Sequence, residues 1–504
     1  MREITAMHRP NSPASNPFTD ADARRSTLAL ADRLRRLSDT ERDMVRLVAD
    51  PGFGRWMEQI RNVGGCAHPI YLAGHTTVTD AVTGQVLRHF DTATEPGGRL
   101  AVRCRNRRET RCLPCSYLHA GDTFQLVRSG LSGGKGTPQH VREHPRLFVT
   151  LTAPSFGSVH HLTEGGRQCR PRREERTCEH GRPIGCRLVH TEGDPLLGQP
   201  LCPACYDYTG HVLWHAHAGL LWNRFCNRVR RALATSVGIT QSKLHAHARL
   251  SFAKVAEYQQ RAAVHVHAVI RLDGATGPDD PPPGWASPVV LETAVRDAAA
   301  TVAVPVPYSA AFGEEVVRWG TELDVHSIRS FEGDSPVTDD RVAAYIAKYV
   351  GKSVSEAGGS DRPITSAAEI PYAAVNDHLR SLMAACWNLG GLPEMEHLRL
   401  RQWTHALGYR GHVLTKSRLY STTYGILRAA RVDHVRQADP LNAVDDDQTA
   451  VTASEWRYVG SGHSPAEAEV AAGVACDLAD ARRLYKEAKE DERWAGTADR
   501  EGEL

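Results

Sequence analysis

Val264-His265-Val266-His267-Ala268-Val269-Ile270 sets two histidines one residue apart inside an apolar run rich in β-branched residues. Bounded by Arg261-Ala262-Ala263 before it and Asp273-Gly274 after it, this run predicts a β-strand. Side chains alternate along a strand, so His265 and His267 share one face while Val264, Val266 and Ala268 take the other. Two imidazoles on one rigid face make half of a metal site. Two further His-x-His pairs, His215/His217 and His245/His247, weaken the pair as evidence on its own. The first of these lies in a helix-like run, where positions i and i+2 diverge.

Working outward, Arg249 to Gln260 reads as a partner strand, joined to the histidine strand through Arg261-Ala262-Ala263 as a hairpin. Glu257 and Gln259 share a parity, and one or both can face the histidines. Two imidazoles and one oxygen leave open positions on a divalent cation, the arrangement that polarises a phosphate. Glu257 is the expected third ligand and Gln259 the reserve; a solvated strand glutamate is the bland alternative. Earlier in the chain, Phe148-Val149-Thr150-Leu151-Thr152 forms an alternating strand that ends at Pro154.

Downstream, Arg341 to Lys352 is an alanine-rich helical run that stops near Gly351. Tyr345 and Tyr349 are four residues apart and share a face; Lys348 and Lys352 share an adjoining one. A phenol deprived of its proton makes a stable phosphodiester with a DNA 5′ phosphate, and neighbouring lysines assist that proton loss and neutralise the phosphate. Core packing with satisfied hydroxyls is the competing reading, and the flanking lysines argue against simple burial.

Most of the twelve cysteines cluster at short range, which in a reducing compartment favours metal over disulfides. Cys112-Leu113-Pro114-Cys115 is a knuckle that grips zinc from a tight turn, with Cys104 and Cys66 or a neighbouring histidine completing the set. A second knuckle, Cys202-Pro203-Ala204-Cys205, follows an Arg-rich stretch holding Cys169, Cys178, His180 and Cys186. The preferred ligands there are Cys178, Cys186, Cys202 and Cys205, with Cys169 and His180 competing for the same places. Two structural zinc ions are therefore expected.

The formal net charge of +2 averages unequal regions. Residues 99–187 hold 17 Lys and Arg against 7 Asp and Glu, whereas 441–504 hold 7 against 15. A basic front and an acidic tail suggest a polyanion-binding body with a solvating end. No apolar leader stretch follows Met1, and no uncharged apolar run suffices to cross a membrane, so a soluble, cytoplasmic protein is expected. Neither Gly130–Gly136 nor Gly351-Lys352-Ser353 meets the Walker spacing, so these loops support no nucleotide-driven motor.

Taken in order, the Phe148 strand, the His265 strand and the Tyr345 helix resemble the three motifs of the HUH endonucleases, specifically rolling-circle replication initiators. The two-tyrosine run is similar to that of phage gene A-type initiators. Cys104-Arg105-Asn106-Arg107-Arg108, Phe148 to Gly157, Glu257 to Gly274 and Gly408-Tyr409-Arg410-Gly411-His412 resemble initiators of actinomycete plasmids and integrative elements, the RepSA type. The resemblance covers about residues 60–430. It implies an α+β fold, a central antiparallel sheet flanked by helices with inserted zinc modules and a helical N-terminal segment.

It further implies a metal-dependent, site-specific DNA nickase and strand transferase. Mg²⁺ or Mn²⁺ is held by His265 and His267, and Tyr345 or Tyr349 attacks, leaving a 5′-phosphotyrosine link and a 3′-OH primer. The implied partners are plasmid or integrative-element origin DNA and a host helicase and polymerase. The Gly usual before the histidine strand is Ala262 or Ala263 here, which leaves the role of Glu257 open. A relaxase or single-strand transposase, or a non-catalytic zinc-finger regulator, are the alternatives.

The expected organisation is a disordered start over 1–20 with a helical segment to 60, a zinc module over 61–130, and a nickase core over 145–355 with a second zinc insertion at 165–210. A DNA-contacting segment over 361–440 and a peripheral acidic tail over 441–504 complete it. Arg105, Arg107, Arg108, Arg410, Lys416 and Arg418 are the expected DNA contacts, mixed with aromatic residues from Trp403 onward.

Overall fold

The structure, a computed structural model, describes residues 36–174, 176–328, 338–352, 359, 362–438 and 450–501. The expected disorder over 1–20 and the start of the N-terminal helical run lie outside these. The fold is α+β, with antiparallel sheets, and divides into two units: residues up to Cys104 together with those from Asp447 onward, and residues Arg105–Asp446.

In the first unit, α1 (Asp39–Ala49) starts at Ser38, whose hydroxyl accepts from the Glu41 N–H while the Glu41 carboxylate accepts from the Ser38 N–H. This reciprocal cap satisfies two amides that the first turn leaves unpaired. After α2 (Phe53–Asn62) come β1 (Ile70–Asp80), β2 (Val86–Asp91) and β3 (Leu100–Val102).

The second unit runs through α3 (Leu113–Ser132), β4 (Arg146–Leu151), α4 (Tyr208–Ser236), β5 (Ala248–Tyr258), β6 (Val264–Gly274), α5 (Pro288–Thr301), β7 (Ala303–Pro305), β8 (Val316–Arg318) and β9 (Leu323–Ser327). It continues with α6 (Asp339–Val350), α7 (Asp377–Leu389), β10 (Leu414–Lys416) and α8 (Tyr424–Ala438). The chain then returns to the first unit as β11 (Ala450–Ser461) and α9 (Pro465–Glu501).

That return corrects the expectation of a peripheral acidic tail. β11 pairs antiparallel with β1 along its whole length, Ile70 opposite Ser461 and Asp80 opposite Ala450. Tyr71, Val78, Ala101 and Trp56 are buried in the same unit with Ala466 and Ala471 of α9. Strand pairing depends on backbone amides, which side-chain charge leaves untouched, so an acidic segment can complete a sheet. The expected boundary near 130 also moves: the chain divides at Cys104, and α3 belongs to the second unit.

The second unit is built on a five-stranded antiparallel sheet of order β10-β5-β6-β4-β9. Its two faces follow from strand parity. Val264, Val266, Ala268, Ile270 and Leu272 of β6 join Leu147, Val149 and Leu151 of β4 in a core shared with Trp214, Leu221 and Phe225 of α4 and Leu291 and Val295 of α5. Each buried Val, Leu, Ile or Phe there contributes roughly 1.5–3 kcal/mol by leaving water. On the other face Val269, Ala253 and Val255 meet Leu126, Val127 and Leu131 of α3 and Val342, Ile346 and Val350 of α6. Gly130 of α3 lets the helix close on Tyr420, since a Cβ there would lie 2.2 Å from the tyrosine ring. Helix α5 completes the apolar side with Leu291, Ala294, Val295 and Ala298.

Farther along the same parity of β6, the face turns polar and dry. Arg271 and Asp273 are fully buried as an ion pair with N–O distances of 2.6 and 3.0 Å, and Asp273 also accepts from Ser251 and faces His144. Pairing with full hydrogen bonding is what permits these charges to leave water.

Candidate metal and tyrosine site

The α3/α6 face of the sheet carries the histidines. In register, His265 stands opposite Glu257 of β5, and His267 stands between Val255 of β5 and Thr150 of β4. Glu257 Oε2 is 3.0 Å from His267 Nε2, and the Thr150 hydroxyl is 3.0 Å from His267 Nδ1. Thr150 thus provides an acceptor for Nδ1–H, which leaves Nε2 free to act as an acceptor or ligand. Phe148 lies parallel to the His267 ring at 6.1 Å and fixes its plane.

Burial first, then the neighbouring charges of His267 and Arg261, pushes His265 down to about 3. It is therefore a neutral imidazole at physiological pH. Its Nε2 is buried and has no hydrogen-bond partner. A buried ring nitrogen of this kind calls for an explanation, and a metal ligand is one. The two ring centroids are 5.9 Å apart, and His265, His267 and Glu257 do not form one of the tightly closed ligand groups found among the described residues. The three side chains offer two nitrogen donors and one carboxylate oxygen, which would leave open positions on a divalent ion held there.

Gln259 is held by the hairpin turn. Its side-chain oxygen accepts from Arg261 Nε at 3.0 Å, and its backbone closes the turn with Ala262 and Ala263. Ala262 takes φ +62°, the left-handed conformation that glycine adopts without cost. The hairpin register is thereby kept with alanine at that position.

Helix α6 brings both tyrosines to the same place. The Tyr345 hydroxyl is 3.3 Å from His267 Nε2; the Tyr349 ring stacks on His267 at 6.1 Å and lies 4.8 Å from the Tyr345 ring. Burial, then Tyr349 and Glu257, raises the Tyr345 phenol above its ordinary value, so it is protonated at neutral pH. The Lys348 and Lys352 ammonium groups sit 5.6 and 5.4 Å from the Tyr349 ring centroid, within cation–π range. A cavity of about 240 Å³ lined by Glu257, Gln259, Gln260 and Lys352 opens beside this group.

Both ends of α6 are tied down by residues the sequence did not single out for that purpose. At its start, Arg146 of β4 donates to Asp339 at 2.8 Å and to the Leu131 carbonyl at 2.6 Å, and Ser132 donates to the same carboxylate. At its end, Arg107 Nη1 donates to the Val350 and Lys352 carbonyls at 3.0 and 2.9 Å. Arg107, expected on DNA, thus caps the helix and complements its negative end. Removing Asp339 takes from the buried Arg146 guanidinium its carboxylate partner at 2.8 Å. Asp339→Ala is expected to lower unfolding stability by about 3 kcal/mol. A urea midpoint unchanged from wild type would show that the pair does not anchor the helix.

Lys416 is likewise corrected. It is half-buried, its Nζ donates to the carbonyls of Ser421, Arg418 and Ser417, and burial, then Arg271, lowers its pKa. Those three acceptors draw it inward from the DNA-facing position expected. Arg105 and Arg410 are exposed and Arg108 is half-buried. Arg418 is exposed and lines a cavity of about 510 Å³ with Arg230 and Arg249, at the end of β5 away from Glu257.

The cysteines fall into groups. In the first unit, the Cys104 N–H donates to Cys66 Sγ at 3.3 Å. In the second, Cys112 and Cys115 are buried at the start of α3. The Arg-rich insertion differs from expectation. Cys178, Cys202 and Cys205 take His180 as their fourth member, whereas Cys186 lies with His160, Cys169 and His190. Short antiparallel bridges explain the split. Arg170–Cys186 folds Cys186 back toward Cys169, while Thr177–Pro183 puts Cys178 and His180 on the tip of a separate turn. Both groups have the donor set and closeness that zinc requires. The Cys186-x3-His190 spacing was the available signal for His190.

Comparison with known proteins places this geometry in context. A family model described as "Replication initiator protein, pSAM2" matches residues 52–476. A protein of Streptomyces ambofaciens named "Replication initiator protein" is 43% identical over 458 residues, covering 89% of this chain and 96% of its own length. No solved structure matches.

Proposed function

Because the chain belongs to the RepSA family of replication initiators, we propose that it starts rolling-circle replication by nicking one strand of an origin through a tyrosine of an HUH-type site. The observation that carries this reading is the meeting of Tyr345, His267 and Glu257 within hydrogen-bond range, beside a buried His265 nitrogen that lacks a partner.

His265, His267 and Glu257 would hold the divalent ion, which when bound supplies Lewis-acid polarisation of the scissile phosphate. Tyr345 O attacks phosphorus, forming an O–P bond as the P–O3′ bond breaks; the phenolic proton passes to solvent and the departing 3′ oxygen takes one up from solvent to become a hydroxyl primer. Lys348 and Lys352, beside the Tyr349 ring, would offset phosphate charge there, and Tyr349 is assigned the second transfer that closes a circle. The exposed Arg105 and Arg410, with Arg108 and Arg418, are proposed to hold the flanking strand by charge. A host helicase and polymerase would act next on the exposed 3′ end.

The test uses single strands from candidate origins, labelled upstream or downstream of the nick, incubated with protein and Mn²⁺ and run on denaturing protein gels. The expected result is a protein-linked band carrying only the downstream label and lost with EDTA. Absence of an adduct on every candidate origin, together with tight metal-independent duplex binding, would replace this reading with a non-catalytic regulator. Adducts formed only on paired element ends would indicate a transposase.

A further inference from the structure

Residues 160–205, the Arg-rich insertion with its leading edge, hold nine cysteines and histidines; apart from His161 they form four sequence pairs: His160/Cys169, Cys178/His180, Cys186/His190 and Cys202/Cys205. The first and third pairs converge on one point, the second and fourth on another, with all ligand atoms of each group within 4.8 Å of one another. We propose that His160, Cys169, Cys186 and His190 bind a zinc ion of their own, interleaved with the Cys178/His180/Cys202/Cys205 site, so that the insertion is a cross-braced two-zinc module.

The distances have the right scale. His160 Nδ1 is 3.1 Å and Cys186 Sγ is 3.7 Å from His190 Nε2. Tetrahedral bonds of about 2.0–2.3 Å set neighbouring nitrogen and sulfur ligands about 3.3–3.8 Å apart. The His190 ring is also oriented as a ligand, because its Nδ1 lies 2.6 Å from Asp194 Oδ2. Nδ1 therefore carries the proton, and the Nε2 lone pair faces the cluster. A carboxylate behind a ligating histidine is the arrangement that fixes tautomer and raises ligand basicity in zinc proteins. Cys169, Cys186 and His190 are buried, and two thiols with two imidazoles supply a closed S₂N₂ set. That set selects zinc over the oxygen-preferring Mg²⁺ or Mn²⁺.

The site also has something to hold. His160 accepts from Gly198 N–H and donates its own N–H to the Gln199 carbonyl. Gly198 lies so close to the Gln260–Arg261 turn that a Cβ would come within 2.2 Å of the Gln260 carbonyl oxygen. A metal that pins His160 to His190 therefore fastens the Asp194–Gln199 loop against the turn that leads into β6. This inference is independent of the nicking chemistry.

The experiment measures zinc per chain by elemental analysis on untagged full-length protein, for wild type, Cys186→Ser and Cys202→Ser. Cys186→Ser is expected to lose at least one equivalent relative to wild type, and loss of a second would reflect the interleaving. Undiminished zinc in Cys186→Ser would overturn the proposal, as would a Cys169–Cys186 disulfide found by mass mapping of the native protein. Should Cys186→Ser be insoluble, His190→Cys decides. After cobalt substitution it is expected to keep its metal content and gain thiolate-to-cobalt charge-transfer absorption per bound ion. An unchanged spectrum would mean that His190 is no ligand.

Discussion

Tyr345→Phe is expected to reduce the initial rate of covalent adduct formation by at least about 10³-fold, the scale seen when an enzyme loses its nucleophile. Tyr349→Phe is expected to spare that first step and to abolish the later transfer that releases a closed circle. The ranking rests on position. The Tyr345 hydroxyl is the one within 3.3 Å of His267 Nε2, whereas Tyr349 meets His267 through its ring face and is flanked by Lys348 and Lys352. Phenylalanine keeps the ring that packs on Phe148 at 5.7 Å, so the change removes the oxygen with little loss of packing. Single-turnover gels with downstream-labelled strand and Mn²⁺ measure the first step; a two-site substrate measures the second. Wild-type rates in Tyr345→Phe with loss in Tyr349→Phe would reverse the order. Adduct persisting in the double variant would remove the nucleophile from this helix altogether.

Why this pair of tyrosines faces these histidines was partly legible beforehand. The β6 periodicity, the hairpin with β5 and the i, i+4 tyrosines are local signals, and each is written within about a dozen residues. The long-range pairs were not. Arg146 and Asp339 are 193 positions apart, and neither is unusual in its own neighbourhood, yet together they fix the start of the tyrosine helix. The pairing of β11 with β1 spans still more chain, and its acidic flanks disguise a strand whose partners are backbone amides. The zinc groups failed for a different reason. Sequence proximity favours sets of adjacent cysteines, while an interleaved module exchanges alternate pairs, so Cys186 and His180 swap places relative to the simplest grouping. Lys416 reads as a surface cation among aromatic residues, but three carbonyls turn it inward. Each miss belongs to tertiary structure overriding a local cue.

Acidification should unfold the second unit well before general acid denaturation, with stability falling from about pH 6.5 downward. Four histidines carry the effect, His211, His215 and His378 buried and His265 half-buried. Burial, opposed by a hydrogen bond to the Leu407 carbonyl, pushes His215 down to about 4; burial likewise takes His378 to about 4 and His265 to about 3, and His211 well below its ordinary value. The folded chain refuses protons that the unfolded chain accepts below the ordinary value of 6.5, so stability is whole above that pH and is lost progressively as pH falls toward 4 and then 3. Each histidine contributes about 1.4 kcal/mol per pH unit in that window, and four acting together approach about 5 kcal/mol per unit. A typical reserve of about 5–15 kcal/mol is then exhausted within one to three units. Geometry says where the strain would fall. His215 accepts from the Val264 N–H at the start of β6, and His378 Nε2 faces the Arg261 carbonyl at 3.1 Å. Protonating His215 sets two N–H groups against each other at that joint, and the hairpin turn that presents Glu257 and His265 loses its support. Urea midpoints followed by near-ultraviolet circular dichroism between pH 7.5 and 4.5 measure the slope, and His378→Gln should flatten it by about a quarter. A midpoint constant from pH 7 to 5 would mean that these histidines charge freely in the fold. The hairpin would then have to be held by something other than their neutral rings.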